Sequence, residues 1–404
     1  MTAVMQGVRV LEVAEHTFVP AASALLAEWG AEVIKIEHVE RGDAMRGLAS
    51  SGTVSLGAGA HVLLEHSNRG KRSLGLDLTS EDGLAVLYRL VATCDVFLTN
   101  KLPSVRTKLH IDLDDIRAHN PSIVYVRGTG QGEHGPDADR GSYDSLAYWC
   151  RAGVASGVTQ PGDTVTMPPA PAFGDSIGAM TIAGGIMGAL FHRERTGEGT
   201  TVDVSLLGVG MWSMGAALAL SLQHEVPWAP LAKGQATGNP LVSTYETKDG
   251  RFVSLSCLQA AKYWPEACAV LGRPELATDG RFADGLSLMA NAAEATALVA
   301  EAFAEHTAAE WRTRLQGFSG QWAMVQDTLE AAADPQAVAN VYVQDYETAE
   351  GVGFRLAAPP VRFGDEAPTP KRAPDFNEHG DEVLTELGLS WDEVVDLKVR
   401  GVVA

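Results

Sequence analysis

Val8-Arg-Val-Leu-Glu-Val13, then Pro20-Ala-Ala-Ser-Ala-Leu-Leu-Ala-Glu-Trp29 stopped by Gly30, then Glu32-Val-Ile-Lys-Ile-Glu37 make up the stretch on which the fold turns. The first and third runs are short and apolar, and the second is a helix-forming run that ends on a glycine, so the order reads strand, helix, strand. Such a βαβ unit lays its two strands parallel in one sheet, joined by a right-handed crossover. The turn after the first strand, Ala14-Glu-His-Thr-Phe-Val-Pro20, holds no glycine. Its backbone therefore cannot approach a pyrophosphate as a dinucleotide fingerprint requires, which counts against a dinucleotide enzyme although the layout alone would suggest one.

The alternation continues outward. Ser73-Leu-Gly-Leu-Asp-Leu78 reads as strand, 80–93 as amphipathic helix, Asp95-Val-Phe-Leu-Thr99 as strand, 112–119 as helix and Ser122-Ile-Val-Tyr-Val126 as strand. Strands alternating with helices predict an α/β fold with a largely parallel, doubly wound sheet. Residues 135–171 are rich in Gly, Pro, Asp and Ser and predict a long irregular segment, of the kind that usually carries function. A glycine-rich helix over 173–193, a strand over 201–206 and a helix over 207–222 complete the first region. After a composition shift at 223–240, Ser243-Thr-Tyr-Glu-Thr247, the turn Lys248-Asp-Gly250 and Phe252-Val-Ser-Leu-Ser256 carry a hairpin signature. Helical segments then run to about 329, which predicts a smaller α+β domain over 223–334. An extended Pro-rich stretch at 357–374 leads to amphipathic helices at 380–387 and 392–400, expected to pack back onto a domain.

The chain of 404 residues is 46% hydrophobic and 7% aromatic, which suits a sizeable cytosolic-type α/β core. With 31 basic against 51 acidic side chains its net charge is −20, which repels polyanions, so nucleic acid is not an expected partner. An anionic small molecule fits only where cations gather locally. Cys94, Cys150, Cys257 and Cys268 stand far apart, with no CxxC pair and no histidine at zinc-ligand spacing. Free buried thiols in a reducing, cytoplasmic compartment are expected, and no metal. The N-terminus lacks the basic and apolar regions of an export signal. The longest apolar stretch, 178–191, is shorter than the about 20 residues of a membrane span, so no membrane partner is expected. Trp149, Trp212, Trp228, Trp264 and Trp322 read as core aromatics before pocket walls.

Along the chain, Gly7-Val-Arg-Val-Leu-Glu12, Gly30-Ala-Glu-Val-Ile-Lys-Ile-Glu37, Gly42-Asp43, Asn68-Arg-Gly-Lys-Arg-Ser-Leu74 and Asp95-Val-Phe-Leu-Thr-Asn100 follow one another. Gly128-Thr-Gly-Gln-Gly132, Gly174-Asp175, Arg195-Thr-Gly-Glu-Gly199, Asp203-Val-Ser205, Asp249-Gly250 and Gly388-Leu-Ser390 continue the series. Each string is weak alone, but in this order they resemble the class III CoA-transferases. That CaiB/BaiF group includes formyl-CoA and carnitine CoA-transferases and the α-methylacyl-CoA racemases. The resemblance implies a Rossmann-like large domain built from both chain ends, 1–222 and 335–404, a small domain over 223–334, and an interlocked homodimer. It also implies acyl-CoA and a small carboxylic acid as substrates, with no metal or organic cofactor.

Moving a thioester between two acids needs a group that can hold the acyl unit as an anhydride and then become a thioester itself. A carboxylate does both, provided that it is positioned and the developing oxyanion is stabilised. In the family this nucleophile is the Asp of a Gly-Asp pair entering a glycine-rich helix, which matches Gly174-Asp175. A helix N-terminus is expected to keep Asp175 ionised; the other reading of Asp175 is a plain N-cap. Backbone N–H groups of 128–132 can serve as oxyanion donors or form only a structural turn. Racemases carry a His directly before an Asp in the segment matching Ser142-Tyr-Asp144, where this chain has Tyr143. Tyrosine, with a pKa near 10, is a poor base at neutral pH. Asp175, Tyr143 and Asp144 are thus catalytic candidates for CoA transfer, with a racemase-like isomerase or a CoA-binding homologue without turnover as alternatives.

The family's CoA contacts match His16, Thr17, His38, Asn68, Lys71, Arg72, Asn100, Lys101, Leu102, Arg106 and Lys108. Its phosphates need a cationic rim in so acidic a chain. Several positions depart from the family's usual residues: His38 replaces an Arg, Thr17 a Gln, and Lys101-Leu102 a Phe-Arg or Phe-Gly pair. Arg72 and Arg106 read equally well as surface charges. Of the glycine run that closes the formyl-CoA site, only Lys233-Gly-Gln-Ala-Thr-Gly-Asn-Pro240 is present, which speaks against a formyl or oxalyl substrate.

Overall fold

β1 (Arg9–Val13), α1 (Phe18–Glu28) and β2 (Glu32–His38) form in the order that the opening stretch predicts. The computed structural model describes residues 2–52, 54–56, 59–232, 235, 237–367 and 369–404. They fall into two compact units, Met1–Val158 with Val165–Trp228 and Gln336–Ala404, and Thr159–Thr164 with Ala229–Pro335. In the first unit the chain continues through α2 (Val62–Asn68), β3 (Arg72–Leu76), α3 (Glu81–Val91) and β4 (Val96–Thr99). Then come α4 (Pro103–Lys108), α5 (Leu113–His119), β5 (Val124–Thr129), α6 (Phe173–Thr196), β6 (Thr201–Ser205), α7 (Leu206–Ser213) and α8 (Gly215–His224).

The six strands form one parallel sheet in the order β3-β2-β1-β4-β5-β6. Its strands alternate between two apolar layers, as a sheet covered on both faces must. Val10, Val33, Val96, Leu98, Val124 and Val126 enter one layer with α1 and α6. Leu11, Ile34, Phe97 and Tyr125 enter the other with α3 and α5. The C-terminal helices Gly380–Glu386 and Trp391–Val399 send Val383, Leu384, Val394 and Leu397 into that second layer.

The glycine-rich helix is longer than the apolar stretch alone predicts. α6 runs for 24 residues and by length and composition is long enough to cross a membrane, as is the bent pair α7 and α8. One face of α6 is nevertheless occupied inside the chain, because Ala179, Ile182, Ala183 and Ile186 are buried in the first layer. Its glycines permit that approach: a Cβ at Gly178 would lie 2.3 Å from the Phe18 ring. Gly178→Val is expected to destabilise the protein by about 2–4 kcal/mol through overpacking, read as a shift of the urea midpoint. The single helix expected over 207–222 breaks at Met214, with a 73° bend before α8.

In the second unit Val242–Glu246, Phe252–Ser256 and Trp322–Met324 form a three-stranded antiparallel sheet. The hairpin follows its turn signature. The third strand interrupts a region that reads as helical in sequence, and the physical reason is pairing: Val253 and Leu255 find Met324 and Trp322 across the ladder. Trp264, Phe282, Phe303 and Trp311 fill this unit's core. Of the glycine run at 233–240, Lys233, Gly234 and Ala236 lie outside the described residues. The antiparallel pair Val343–Glu347 and Gly353–Ala357, in the first unit, has no counterpart in the sequence reading. Cys94, Cys257 and Cys268 are buried free thiols, but Cys150 is exposed, contrary to expectation.

Candidate active site

In the strand order observed, β1 lies between β2 and β4, so the crossovers that leave the carboxyl ends of β1 and β4 run in opposite directions and open a crevice between them. Ligands of doubly wound sheets bind at such a point. A groove of about 450 Å3 occupies it, lined by Glu15 and His16 after β1, Asn100, Lys101 and Leu102 after β4, and Gly128 to Gly130 at the end of β5. Tyr143 and Asp175 line it as well. A second hollow of about 220 Å3 adjoins, sharing Glu15, Arg41, Lys101 and Val105 with the first and extending past His38 to Leu76–Thr79.

Asp175 is the third residue of α6. The N-cap is Ala172, in the left-handed region at φ +55°, so the N-cap reading of Asp175 falls. The Gly174 N–H, an orphan of the first turn, donates to the Asp144 carboxylate at 3.2 Å. Gly174 is required because a Cβ there would meet the Tyr148 ring at 2.5 Å. The helix end does not keep Asp175 at an ordinary acidity. Burial, reinforced by the Asp144 charge, pushes its carboxyl up to about 7. Desolvation and a like charge outweigh the exposed N–H groups of one helix turn.

His16 crosses the groove edge-on to Tyr143, with ring centroids 5.6 Å apart. Its backbone is left-handed at φ +68°, a conformation that costs a non-glycine residue about 1–2 kcal/mol and needs support. The support is buried. Asp43 accepts the His16 N–H at 3.0 Å and the Met45 N–H at 2.9 Å, and is paired with Lys35 at 2.7 Å. Lys35 also binds Glu12 at 2.7 Å and the Ala14 carbonyl at 2.8 Å, and Lys71 binds the other Glu12 oxygen at 2.7 Å. Burial alone would raise Asp43, but Lys35 and its hydrogen bonds win and hold it at about 2. Glu12 is likewise lowered by Lys35 and Lys71 against its burial, whereas burial pulls Lys71 down to about 7.

Eight of the fourteen sequence candidates come together around the groove and its neighbour: His16, His38, Asn100, Lys101, Leu102, Tyr143 and Asp175 as lining, and Asp144 through Gly174. The others are placed elsewhere. Asn68 and Lys71 are fully buried on Glu12's network, Lys71 also taking the Asn68 side-chain oxygen at 3.0 Å. Arg72 is tied to Glu32 and Glu386 at 2.7 and 2.8 Å, and Arg106 to Asp112 and Glu133 at 2.9 and 2.6 Å. Arg106 acts on the groove only from beneath, donating to the Lys101 carbonyl at 3.1 Å. Thr17 is buried at the start of α1, and Lys108 is exposed outside the lining. The segment from β3 that does reach the site is Leu76–Thr79, because it follows the carboxyl end of the strand whereas Arg72 stands at the amino end.

Sequence reasoning missed Arg41 and Glu15. Glu15 pairs with Lys101 at 2.6 Å and Arg41 at 3.7 Å, which gathers two cations at the groove despite the chain's negative charge. No isolated motif marks them; their positions directly after strands β1 and β2 are the available signal. Gly132 is less available as a donor than expected, since its N–H is taken by Thr129 Oγ1 at 3.0 Å. Among the described residues no tryptophan lines the groove, and no group of three or more His, Cys, Asp or Glu side chains is arranged to hold a metal.

A parallel sheet of this order places a carboxylate at a helix start in the lining of the switch-point crevice, after a first turn without the glycines of a dinucleotide site. The chain belongs to CoA-transferase family III, whose model matches residues 5–380, and it is an enzyme of that class. It is 30% identical to the (R)-2-hydroxy-4-methylpentanoate CoA-transferase of Clostridioides difficile over 99% of both chains. It is also 30% identical to the cinnamoyl-CoA:phenyllactate CoA-transferase of Clostridium sporogenes, covering 98% of this chain and 96% of that one. A crystal structure of a CaiB/BaiF family protein from Brucella suis superposes with a TM-score of 0.80 at 27% identity, covering 96% of this chain and 100% of the other. Acyl-CoA and carboxylic acid substrates are consistent with these relatives.

Proposed function

We propose that this enzyme moves CoA from an acyl-CoA to a free carboxylic acid through covalent intermediates on Asp175. The observation that carries the reading is the position of Asp175, which lines the switch-point groove together with His16, Asn100 and Lys101. The carboxylate attacks the thioester carbonyl and expels CoA thiolate, leaving an acyl-aspartyl anhydride. The thiolate then attacks the aspartyl carbonyl, releasing the first acid and forming an aspartyl-CoA thioester. The acceptor carboxylate displaces the thiolate in turn, and thiolate attack on the new anhydride's acyl carbon frees Asp175 and the new acyl-CoA. No proton, metal or redox partner enters this balance. Lys101 and Arg41, already gathered by Glu15, are the cations offered to the CoA phosphates. Tyr143 and Asp144 hold the acyl end and set the charge beside the nucleophile.

We place the enzyme in the cytoplasm as a homodimer. Phe191, Trp212 and Leu222 are 66%, 87% and 71% exposed, and among the described residues α8 buries no side chain. Apolar exposure on that scale fits a partner surface. Sedimentation velocity is expected to give twice the chain mass.

Intact-protein mass spectrometry after incubation with a panel of acyl-CoA compounds is expected to find CoA attached to the peptide containing Asp175. Absence of any adduct with every donor that turns over would refute the route. A pH profile tests the same carboxyl. Attack requires the ionised form, so kcat/KM is expected to fall with unit slope below about pH 7, the value that Asp175 takes in the groove. Asp144→Asn keeps an acceptor for the Gly174 N–H but removes the neighbouring charge. It is expected to move that limb about one unit towards lower pH.

A further inference from the structure

We infer that a second ligand site, for a monocarboxylic acid with a compact apolar body, lies between α1 and α6. It is a cavity of about 220 Å3, walled by Ala21 and Leu25 of α1, Ala179 and Met180 of α6, and Ala358. It shares no lining residue with the groove, although Ser176 on its wall directly follows Asp175. Its polar edge is made of donors. Arg69 is 2% exposed, and its Nη1 has no hydrogen-bond partner among the described residues. His66 lines the same edge, and burial, then Arg69, pull its imidazole down to about 4, so it offers an N–H and no charge at neutral pH. Among the described residues no carboxylate lines the cavity.

A buried guanidinium with an N–H left unpartnered, on a residue that lines an apolar cavity, is an uncommon arrangement, because such groups are normally satisfied. An acceptor group on a bound molecule satisfies it. An apolar cavity of about 150 Å3 takes benzene, so this one takes a body of about six carbons with a carboxyl head. Charge decides how the acid binds. Glu28 lies on the other edge of the guanidinium, 2.8 Å from Arg69 Nε, and accepts from the Tyr346 hydroxyl at 3.2 Å. Glu65 and His66 stand on α2 beside Arg69. Burial pushes the Glu28 carboxyl up in spite of Arg69. A second carboxylate brought to the same guanidinium adds a like charge beside Glu28 and favours its protonated form further, so binding is expected to strengthen as pH falls. The site does not depend on the aspartyl route.

Isothermal titration calorimetry of the full-length enzyme without CoA, with hexanoate and hexylamine as probes, tests the inference. Hexanoate is expected to bind, more tightly at pH 6 than at pH 8, and hexylamine not at all. Ala358→Phe, which fills the cavity and leaves Arg69 in place, and Arg69→Met are each expected to weaken hexanoate about tenfold or more. Asp175→Asn is expected to leave it unchanged. The inference is overturned if hexanoate shows no saturable binding, if its binding survives Ala358→Phe, or if Asp175→Asn abolishes it, which would locate the probe in the groove.

Discussion

Asp175→Asn is expected to abolish CoA exchange, by about 10^4-fold or more, while CoA itself still binds within a few-fold of its original affinity. The carboxamide is isosteric and can line the groove as before, but it cannot form an anhydride or a thioester. Loss of rate without loss of binding separates a nucleophile from a residue that shapes the pocket. The same substitution is expected to stabilise the fold. Asp175 rises from 3.8 to about 7 on folding, burial being the main cause and Asp144 the second. A carboxyl whose folded value is raised binds its proton more tightly in the native state, so its burial costs stability above about pH 7. That cost is relieved as pH falls towards 4. For a half-buried group this amounts to about 1–3 kcal/mol at pH 8. Urea denaturation at pH 8 and pH 4 is expected to show Asp175→Asn more stable than wild type at the first and nearly equal at the second. A variant as unstable as it is inactive would indicate a structural role instead.

Lys35→Met is expected to have the largest effect on stability, about 3–5 kcal/mol, because it leaves two buried carboxylates without their shared cation. Lys35 is wholly buried and lies 2.7 Å from both Glu12 and Asp43. The consequence reaches the groove, since Asp43 holds the left-handed His16 backbone through its N–H. A double substitution, Lys35→Met with Asp43→Asn, removes one charge of each sign and is expected to recover part of the stability. It is not expected to recover the affinity for CoA, because the neutral amide supports His16 less strongly. The network also predicts an acid limit. Asp43 falls from 3.8 to about 2 on folding, against its burial and because of Lys35, so its contribution is complete at neutral pH and disappears between about pH 4 and pH 2.

Legibility followed the range of the forces concerned. The opening βαβ stretch, the alternating strands, the hairpin turn at Lys248–Gly250 and the helix start at Gly174-Asp175 were readable because each is set by neighbours a few residues apart. The pairing Trp322–Met324 with Val253–Leu255 was not, since its partners are distant in sequence and its own residues favour no one state. The same limit explains the misplaced cations. Lys71 and Arg72 are adjacent in the chain, yet one side chain turns into the Glu12 network and the other to Glu386 on the surface. Composition shows that a lysine is present, and only the direction of its Cβ shows whether it meets solvent, a carboxylate or a ligand.

By itself the sequence determined an α/β chain with a parallel sheet and a glycine-free first turn unsuited to a dinucleotide, while the role of the aspartate at the mouth of the glycine-rich helix came only as what the family resemblance implies. The first two rest on periodicity and on turn chemistry. The tertiary structure alone decided that β1 stands at the switch point, that Asp175 and Asp144 share a half-buried site and so shift its acidity to neutrality, and that Arg41 and Glu15 join it while Lys71 and Arg106 do not. Burial and charge proximity are properties of space. Residues far apart in the chain acquire them only when the sheet has brought their strand ends to one edge.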